Sequence, residues 1–314
     1  MNKLTLIVSV YNEEAALPAF YEEYRRLAPS FGCASEVLFV NDGSADKSAD
    51  IIRGWAENDP DIKLLSFSRN FGHEAAMIAG IDHGTGDFLV CLDADLQHPL
   101  TCIPDIVAAA DEGYEIVSMV RQNDSGFLRH IFTRAYYRMI NKWSRSTLES
   151  GASDFFGLSS RAADVLRNNY RERNRFLRGY VQNIGFKKKN ISYVSPERTA
   201  GKSKYPFARL LRLSMESMVC FSEAPLRIGI YAGAGAALLG VIMAIYTIIT
   251  WVREGAPDGY ATIICLICFM FAVLFFILGI FGEYMAVLFT EMKGRPLYIV
   301  EEAVNMKTED DGAL

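Results

Sequence analysis

The chain has 314 residues and a formal net charge of -5, so it lacks the basic excess expected of a nucleic-acid binder. Hydrophobic residues make up 51% and charged residues 22%, with a mean hydropathy of +0.12. That mixture argues against an ordinary soluble domain and for a water-soluble part joined to a membrane part.

The opening "MNKLTLIVSVYNEE" has one lysine and a short apolar run that ends in acids. It lacks the length and the small-residue cleavage site of a signal peptide, so the front of the chain is expected in the cytosol. Six cysteines are scattered without framework spacing, as reduced thiols are.

Strands and helices alternate along the first half. "KLTLIVSV" reads as a strand, and the stretch after "YNEE" as a helix with Leu17, Phe20, Tyr24 and Leu27 on one face. "SEVLFVND" is a second strand, followed by the helix "SADKSADIIRGWAEN" with Ser44 or Asp46 as N-cap. "IKLLSFS" and "DFLVCLDAD" are the third and fourth strands, with the helix "HEAAMIAGIDHG" between them. Such alternation implies an α/β fold with a mostly parallel sheet covered on both faces. Ligands of these sheets bind at the carboxyl ends of the strands. No G-x-G-x-x-G follows a strand and no G-x-x-x-x-G-K-[ST] occurs, which weakens dehydrogenase and P-loop readings.

From Tyr205 the character changes. "YPFARLLRLSMESMVCFSEAPLR" mixes apolar residues with arginines at helical spacing and reads as an amphipathic interfacial helix over 205–227. Ile228–Val252 and Gly259–Gly282 contain no charged residue, and each suffices for a span of about 20 residues. "CLIC" at Cys265–Cys268 has metal or redox spacing, but it lies within the second run without a further ligand pair and reads as membrane-buried thiols. Arg209, Arg212 and Arg227 precede the hairpin while Lys293 and Arg295 follow it, which puts both flanks in the cytoplasm. "GIYAG" at Gly229–Gly233 has the small-xxx-small spacing that lets helices approach, including helices of a second copy. Glu283 is an acid at the edge of the second span, expected at headgroup level.

Acids end three of the apolar strands. Asp93 and Asp95 in "LVCLDADLQHP" are two apart, so both carboxylates face one way if the strand stays extended. They would then share one cation, Mg²⁺ or Mn²⁺ on a diphosphate, with Gln97 adding an oxygen. The competing reading is that the pair caps the segment that follows. Asp42 in "VNDGS" either accepts hydrogen bonds from a base or ribose or merely closes a turn. Glu13, after "SVYNE", is the third strand-end acid.

"VSVYNEE", "VLFVNDGSADKS", "SRNFGHEAAMIAGIDHGTGD" and "LDADLQHP" resemble, in order and spacing, the family 2 glycosyltransferases with a GT-A, Rossmann-like nucleotide-sugar fold. The hairpin and the ending "FGEYMAVLFTEMKGRPLYIV" resemble those of polyprenyl-phosphate glycosyltransferases, relatives of dolichyl-phosphate mannose synthase. The resemblance implies that Tyr11, Glu13 and Asp42 hold the nucleotide. It assigns Asp93, Asp95 and Gln97 to the metal and diphosphate, with Asp95 and Gln97 as the direct ligands. It further places Arg121 and Arg134 at the acceptor phosphate, Asp154 beside the reacting sugar, and Arg198, Lys202 and Lys204 in a loop near the diphosphate. One departure is His98, where family members often carry aspartate.

The expected activity is inverting transfer of a sugar from a nucleoside diphosphate, uridine being favoured, to polyprenyl (undecaprenyl) phosphate for the cell envelope. Hexose and N-acetylhexosamine remain open as the sugar. The expected organisation is a cytosolic catalytic domain at 1–204, the interfacial segment, a transmembrane hairpin at 228–290 and a cytosolic tail at 291–314. The expected location is a bacterial inner membrane with both termini cytoplasmic. Two rival readings are a membrane-tethered transferase acting on lipid-linked oligosaccharide or polysaccharide, and a non-catalytic membrane scaffold.

Overall fold

The structure is a computed structural model that describes residues 1–122, 152–173, 175–195, 224–254 and 259–306. Arg134, Arg198, Lys202, Lys204 and the interfacial segment up to residue 223 lie outside the described residues. The chain forms two compact units, one built on the sheet and including the chain from Arg295 onward, the other containing the apolar helices.

The first unit starts with β1 (Lys3–Val10), whose side chains after Lys3 are all buried, as a strand covered on both faces requires. It lies between β2 (Ala34–Asn41) and β4 (Phe88–Asp93), parallel to both, and β3 (Ile62–Phe67) continues the parallel set beside β2. The first helix, α1 (Leu17–Leu27), buries Leu17, Phe20 and Tyr24 against the sheet. Helix α2 (Ser48–Ala56) begins later than the sequence predicts, and of the two cap candidates Asp46 is the one that serves its start. Ser44 Oγ accepts the Asn12 N–H, while Asp46 Oδ1 accepts the Ser48 N–H. Helix α3 (His73–His83) is buried from Ala75 to Ile81, and Gly80 lets it lie directly on Ile7, where a methyl group would collide.

Four further strands, none of them read from the sequence, widen the sheet. After α4 (Ile103–Asp111), β5 (Ile116–Arg121) runs parallel to β7 (Lys188–Tyr193). Between β5 and β4 lies β6 (Ala152–Ser159), antiparallel to both. Helices α5 (Ser160–Asn169) and α6 (Leu177–Asn183) follow β6. On the other edge, β8 (Val300–Val304) pairs antiparallel with β3. The order among the described residues is β7-β5-β6-β4-β1-β2-β3-β8.

The stretch at 291–314, expected as a tail, thus supplies an edge strand. Arg53 holds Glu302 through Nε at 2.8 Å and Nη2 at 2.7 Å. Tyr298 stacks on Phe67 with centroids 5.1 Å apart, and its hydroxyl donates to Asp82 at 2.7 Å.

The amino ends of β1–β3 hold a buried ionic knot. Glu36, 2% exposed, meets Lys3 at 2.5 Å and Lys63 at 2.8 Å, and accepts from the Thr5 and Thr85 hydroxyls. Burial alone would raise its pKa, but these hydrogen bonds prevail and hold it at about 2.

The second unit contains α7 (Ala224–Glu254) and α8 (Tyr260–Met292). Gly229–Ile249 and Phe269–Met292 are long and apolar enough to cross a membrane, with mean hydropathies of 2.1 and 2.2. The helix carrying the second span continues past Glu283, which is exposed. The two glycines of "GIYAG" face Ile277 of α8, at distances where a methyl group would also fit. A methyl group at Gly229 would lie 3.5 Å, and one at Gly233 3.6 Å, from Ile277 of α8. These distances are ordinary van der Waals contact, so the motif packs against α8 without a close approach that only glycine allows, and association between copies has no support here.

Candidate active site

The loops after β1, β2 and β3 are stitched together at the carboxyl edge of the sheet. Asn12, in the left-handed region at φ 56, donates its N–H to Ser44 Oγ at 3.0 Å and accepts the Ala45 N–H at 2.8 Å. The Glu13 N–H donates to Ser48 Oγ at 2.9 Å, and the Glu13 carbonyl caps the start of α1. Tyr11 remains half-exposed above this seam.

Asp42 is 2% exposed. Its Oδ1 accepts the Phe71 N–H at 2.6 Å and its Oδ2 the Gly72 N–H at 2.9 Å. Burial raises its pKa, against the pull of those two amides. The structure therefore adds a role to the predicted one, since the carboxylate pins the loop after β3. Gly43 makes that pinning possible. At φ +63, its added Cβ would sit 2.6 Å from Asn70 N and closer still to the Arg69 carbonyl carbon, so only glycine fits.

Asp93 closes β4, but the extension assumed for "DAD" does not continue. The chain turns directly after Asp93, Leu96 adopts φ 60, and Asp95 Oδ1 takes the Gln97 N–H at 3.0 Å. The two carboxylates are neighbours through a turn rather than along one strand face. The bond from the Gln97 N–H is the local capping that the alternative reading expects of Asp95, whereas no side chain caps the short helical turn at Leu100.

Histidines surround Asp93. Ser9 Oγ donates to its Oδ1 at 3.2 Å and lies 2.8 Å from His73 Nδ1. His73 Nδ1 is 3.6 Å from Asp93 Oδ1, while its Nε2 is 3.8 Å from Asp154 Oδ2. His73 thus spans the gap between the β4 acid and the β6 acid. Asp154 is also gripped by Arg178 of α6, with Nε 3.3 Å from Oδ1 and Nη2 3.4 Å from Oδ2. Beside them Glu74 is pushed up to about 7, first by burial and then by the charge of Asp154, so it is only partly ionised at neutral pH. Arg121 ends β5.

His73, Glu74 and Arg178 were missed in the sequence. The signal for His73 was local: "RNFGHE" follows a strand and opens a helix, with Gly72 at φ 99 as the break. Glu74 and Arg178 gave no local signal, because only tertiary folding brings α6 to Asp154.

Among the described residues no three His, Cys, Asp or Glu side chains are placed to hold a metal by themselves. The donors that the turn offers are oxygens, those of Asp95 and Gln97 with Asp93 behind them. That set fits a hard divalent ion that fills its shell with water and phosphate oxygens, and it does not fit a structural zinc site.

Known proteins place this architecture. Residues 5–167 match the model for "Glycosyl transferase family 2" and residues 224–288 that for "GtrB C-terminal hairpin". The uncharacterized glycosyltransferase YkcC of Bacillus subtilis (strain 168) is 34% identical, over 97% of this chain and 95% of its own length. The SfII prophage-derived bactoprenol glucosyl transferase of Shigella flexneri is 34% identical, over 96% and 98%. The undecaprenyl-phosphate 4-deoxy-4-formamido-L-arabinose transferase of Enterobacter sp. (strain 638) is 32% identical, over 97% and 94%. On the strength of both matched segments and these full-length relatives, the chain belongs to the family 2 glycosyltransferases that carry a GtrB-type C-terminal hairpin.

Proposed function

We propose that this glycosyltransferase moves a hexose from a nucleoside-diphosphate sugar, with uridine as the nucleoside, to the phosphate of undecaprenyl phosphate, inverting the anomeric carbon. The observation that carries the reading is the convergence of Asp93, His73, Asp154 and Arg178 at the carboxyl edge of the sheet, in a chain that also holds an apolar hairpin. Relatives named for bactoprenol and undecaprenyl phosphate support the acceptor. The glucosyl names among them favour a hexose over an N-acetylhexosamine.

The acceptor asks little of the protein. A phosphate monoester, with a second pKa of about 6, is already mostly dianionic at neutral pH, so no side chain has to remove a proton. The roles left are orientation and charge. Asp154, fixed by Arg178 and His73, orients the sugar. Tyr11, Glu13 and Asp42 hold the nucleotide, Asp42 chiefly through the loop that it pins. Asp95 and Gln97, with Asp93, would hold Mg²⁺ or Mn²⁺, which when bound neutralises charge on the departing diphosphate. Arg121 and Arg134 would receive the acceptor phosphate, and Arg198, Lys202 and Lys204 the diphosphate.

The half-neutral Glu74 limits negative charge in a cleft that must admit two phosphorylated substrates. Bacterial relatives named for bactoprenol and undecaprenyl phosphate favour a bacterial inner membrane, and the basic residues flanking the hairpin favour the catalytic domain and both termini in the cytoplasm.

The test is incubation of the purified protein with undecaprenyl phosphate, a panel of labelled nucleotide sugars, and Mg²⁺ or Mn²⁺. Labelled lipid with a UDP-hexose is the expected product. Absence of labelled lipid with every donor overturns the proposal.

A further inference from the structure

We propose that His98 is a positioning residue, whose Nδ1 lone pair anchors the turn after β4 and so sets where Asp95 and Gln97 stand relative to Asp154. The inference rests on the metal and diphosphate reading above.

Pairing of β4 with β6 ends at Cys91 opposite Phe156. Two residues later the Asp93 N–H has left that ladder, and it donates instead to His98 Nδ1 at 3.0 Å. Because Nδ1 accepts, the ring proton sits on Nε2. Asp93 Oδ2 is 3.6 Å from the same nitrogen, beyond hydrogen-bond reach, so the backbone amide is its partner. The bond closes a loop from Asp93 to His98, and Asp95 and Gln97 lie inside it.

The ring also fixes that loop in space. His98 is 6% exposed and stacks on Phe155 at 5.1 Å and 21°. Phe155 directly follows Asp154 on β6, so one imidazole touches the strand of the sugar-site acid and closes the turn of the metal-site acids. Tyr193, at the end of β7, meets the ring edge-on at 6.2 Å. Just beyond it, the Ser195 hydroxyl donates to the Gln97 carbonyl at 2.9 Å.

His98 touches none of the reacting groups proposed above, and it acts through the backbone. Its acceptor atom, rather than its bulk, is what the turn requires. Phenylalanine would preserve a stacking ring but present no acceptor to the Asp93 amide. Asparagine would place Oδ1 where Nδ1 stands and keep the acceptor without the ring.

The experiment compares the full-length wild type with His98→Phe and His98→Asn, purified in detergent. Mn²⁺ is titrated in the presence of UDP and free Mn²⁺ is followed by electron paramagnetic resonance. Donor KM and kcat are measured alongside. His98→Phe should bind Mn²⁺ about 10- to 100-fold more weakly, as loss of an outer support of a metal site does, and should raise KM for the donor more than it lowers kcat. His98→Asn should recover most of that affinity. A merely structural histidine would lower thermal stability in both variants and leave Mn²⁺ affinity where it was.

Unchanged Mn²⁺ affinity in His98→Phe, or no recovery in His98→Asn, overturns the positioning role. If the wild type itself holds no Mn²⁺ with UDP, the metal reading fails and this inference falls with it. Should His98→Phe not fold, His98→Ala takes its place in the same comparison.

Discussion

Asp42→Asn separates loop pinning from nucleotide contact. In the wild type both carboxylate oxygens are engaged, by the Phe71 amide at 2.6 Å and the Gly72 amide at 2.9 Å, on a side chain 2% exposed. Asparagine keeps one acceptor and turns an amide donor toward the other N–H. One charge-assisted hydrogen bond is lost, worth about 1.5–3 kcal/mol, and a buried N–H is left facing a donor. Local opening of the 68–72 loop should therefore become easier by about ten- to a hundredfold. Hydrogen–deuterium exchange of a peptide covering Phe71 and Gly72 reads this directly, with the β3 amides as an internal control that should not move. UDP affinity should fall only as far as the open loop becomes populated, because the closed loop is the one that supports the site. Lost UDP affinity with unchanged exchange at Phe71 and Gly72 would refute the reasoning, leaving Asp42 as a direct ligand and nothing more.

Glu36→Gln should destabilise the catalytic domain by about 3–5 kcal/mol at neutral pH, the effect of breaking a buried pair and leaving Lys3 and Lys63 without their carboxylate. In the wild type the depressed pKa of Glu36, from 4.5 to about 2, contributes about 3 kcal/mol. That contribution is complete above pH 4.5 and is lost as pH falls through about 2, so acid unfolding monitored by circular dichroism should lose its dependence on this window in the variant. Glu74 has the opposite sign. Its carboxyl is raised from 4.5 to about 7, so its contribution is complete below pH 4.5 and lost as pH rises through 7, and thermal melts of Glu74→Gln should be flat where the wild type declines. Gly43→Ala should cost at least about 1–2 kcal/mol from its left-handed backbone alone, and its collision with the 69–70 backbone should reduce UDP binding in calorimetry. Arg178→Gln should lower kcat for lipid glycosylation while leaving UDP affinity near the wild-type value, since Arg178 holds Asp154 and not the nucleotide loops. Equal losses in both would remove the sugar-orienting role.

Local pattern alone located β1 to β4, the three helices between them and the apolar hairpin. Each of these elements carries its own periodicity or length, and none needs a distant partner to be recognised. Asp42, Asp93 and Asp95 were likewise visible as acids at strand ends, whereas Asp154 came only through the family resemblance. What those acids do had to wait for the fold. Asp42 depends on amides some thirty positions away, and Asp154 on an arginine from α6 and a histidine from α3. The return of Val300–Val304 to the sheet was hidden for the same reason, because "VEEAV" is a strand only beside the exposed edge of β3. Hydrophobic alternation and span length are properties of neighbours in the chain, whereas a site is made of residues that meet across it, and that meeting is decided by packing of the whole sheet.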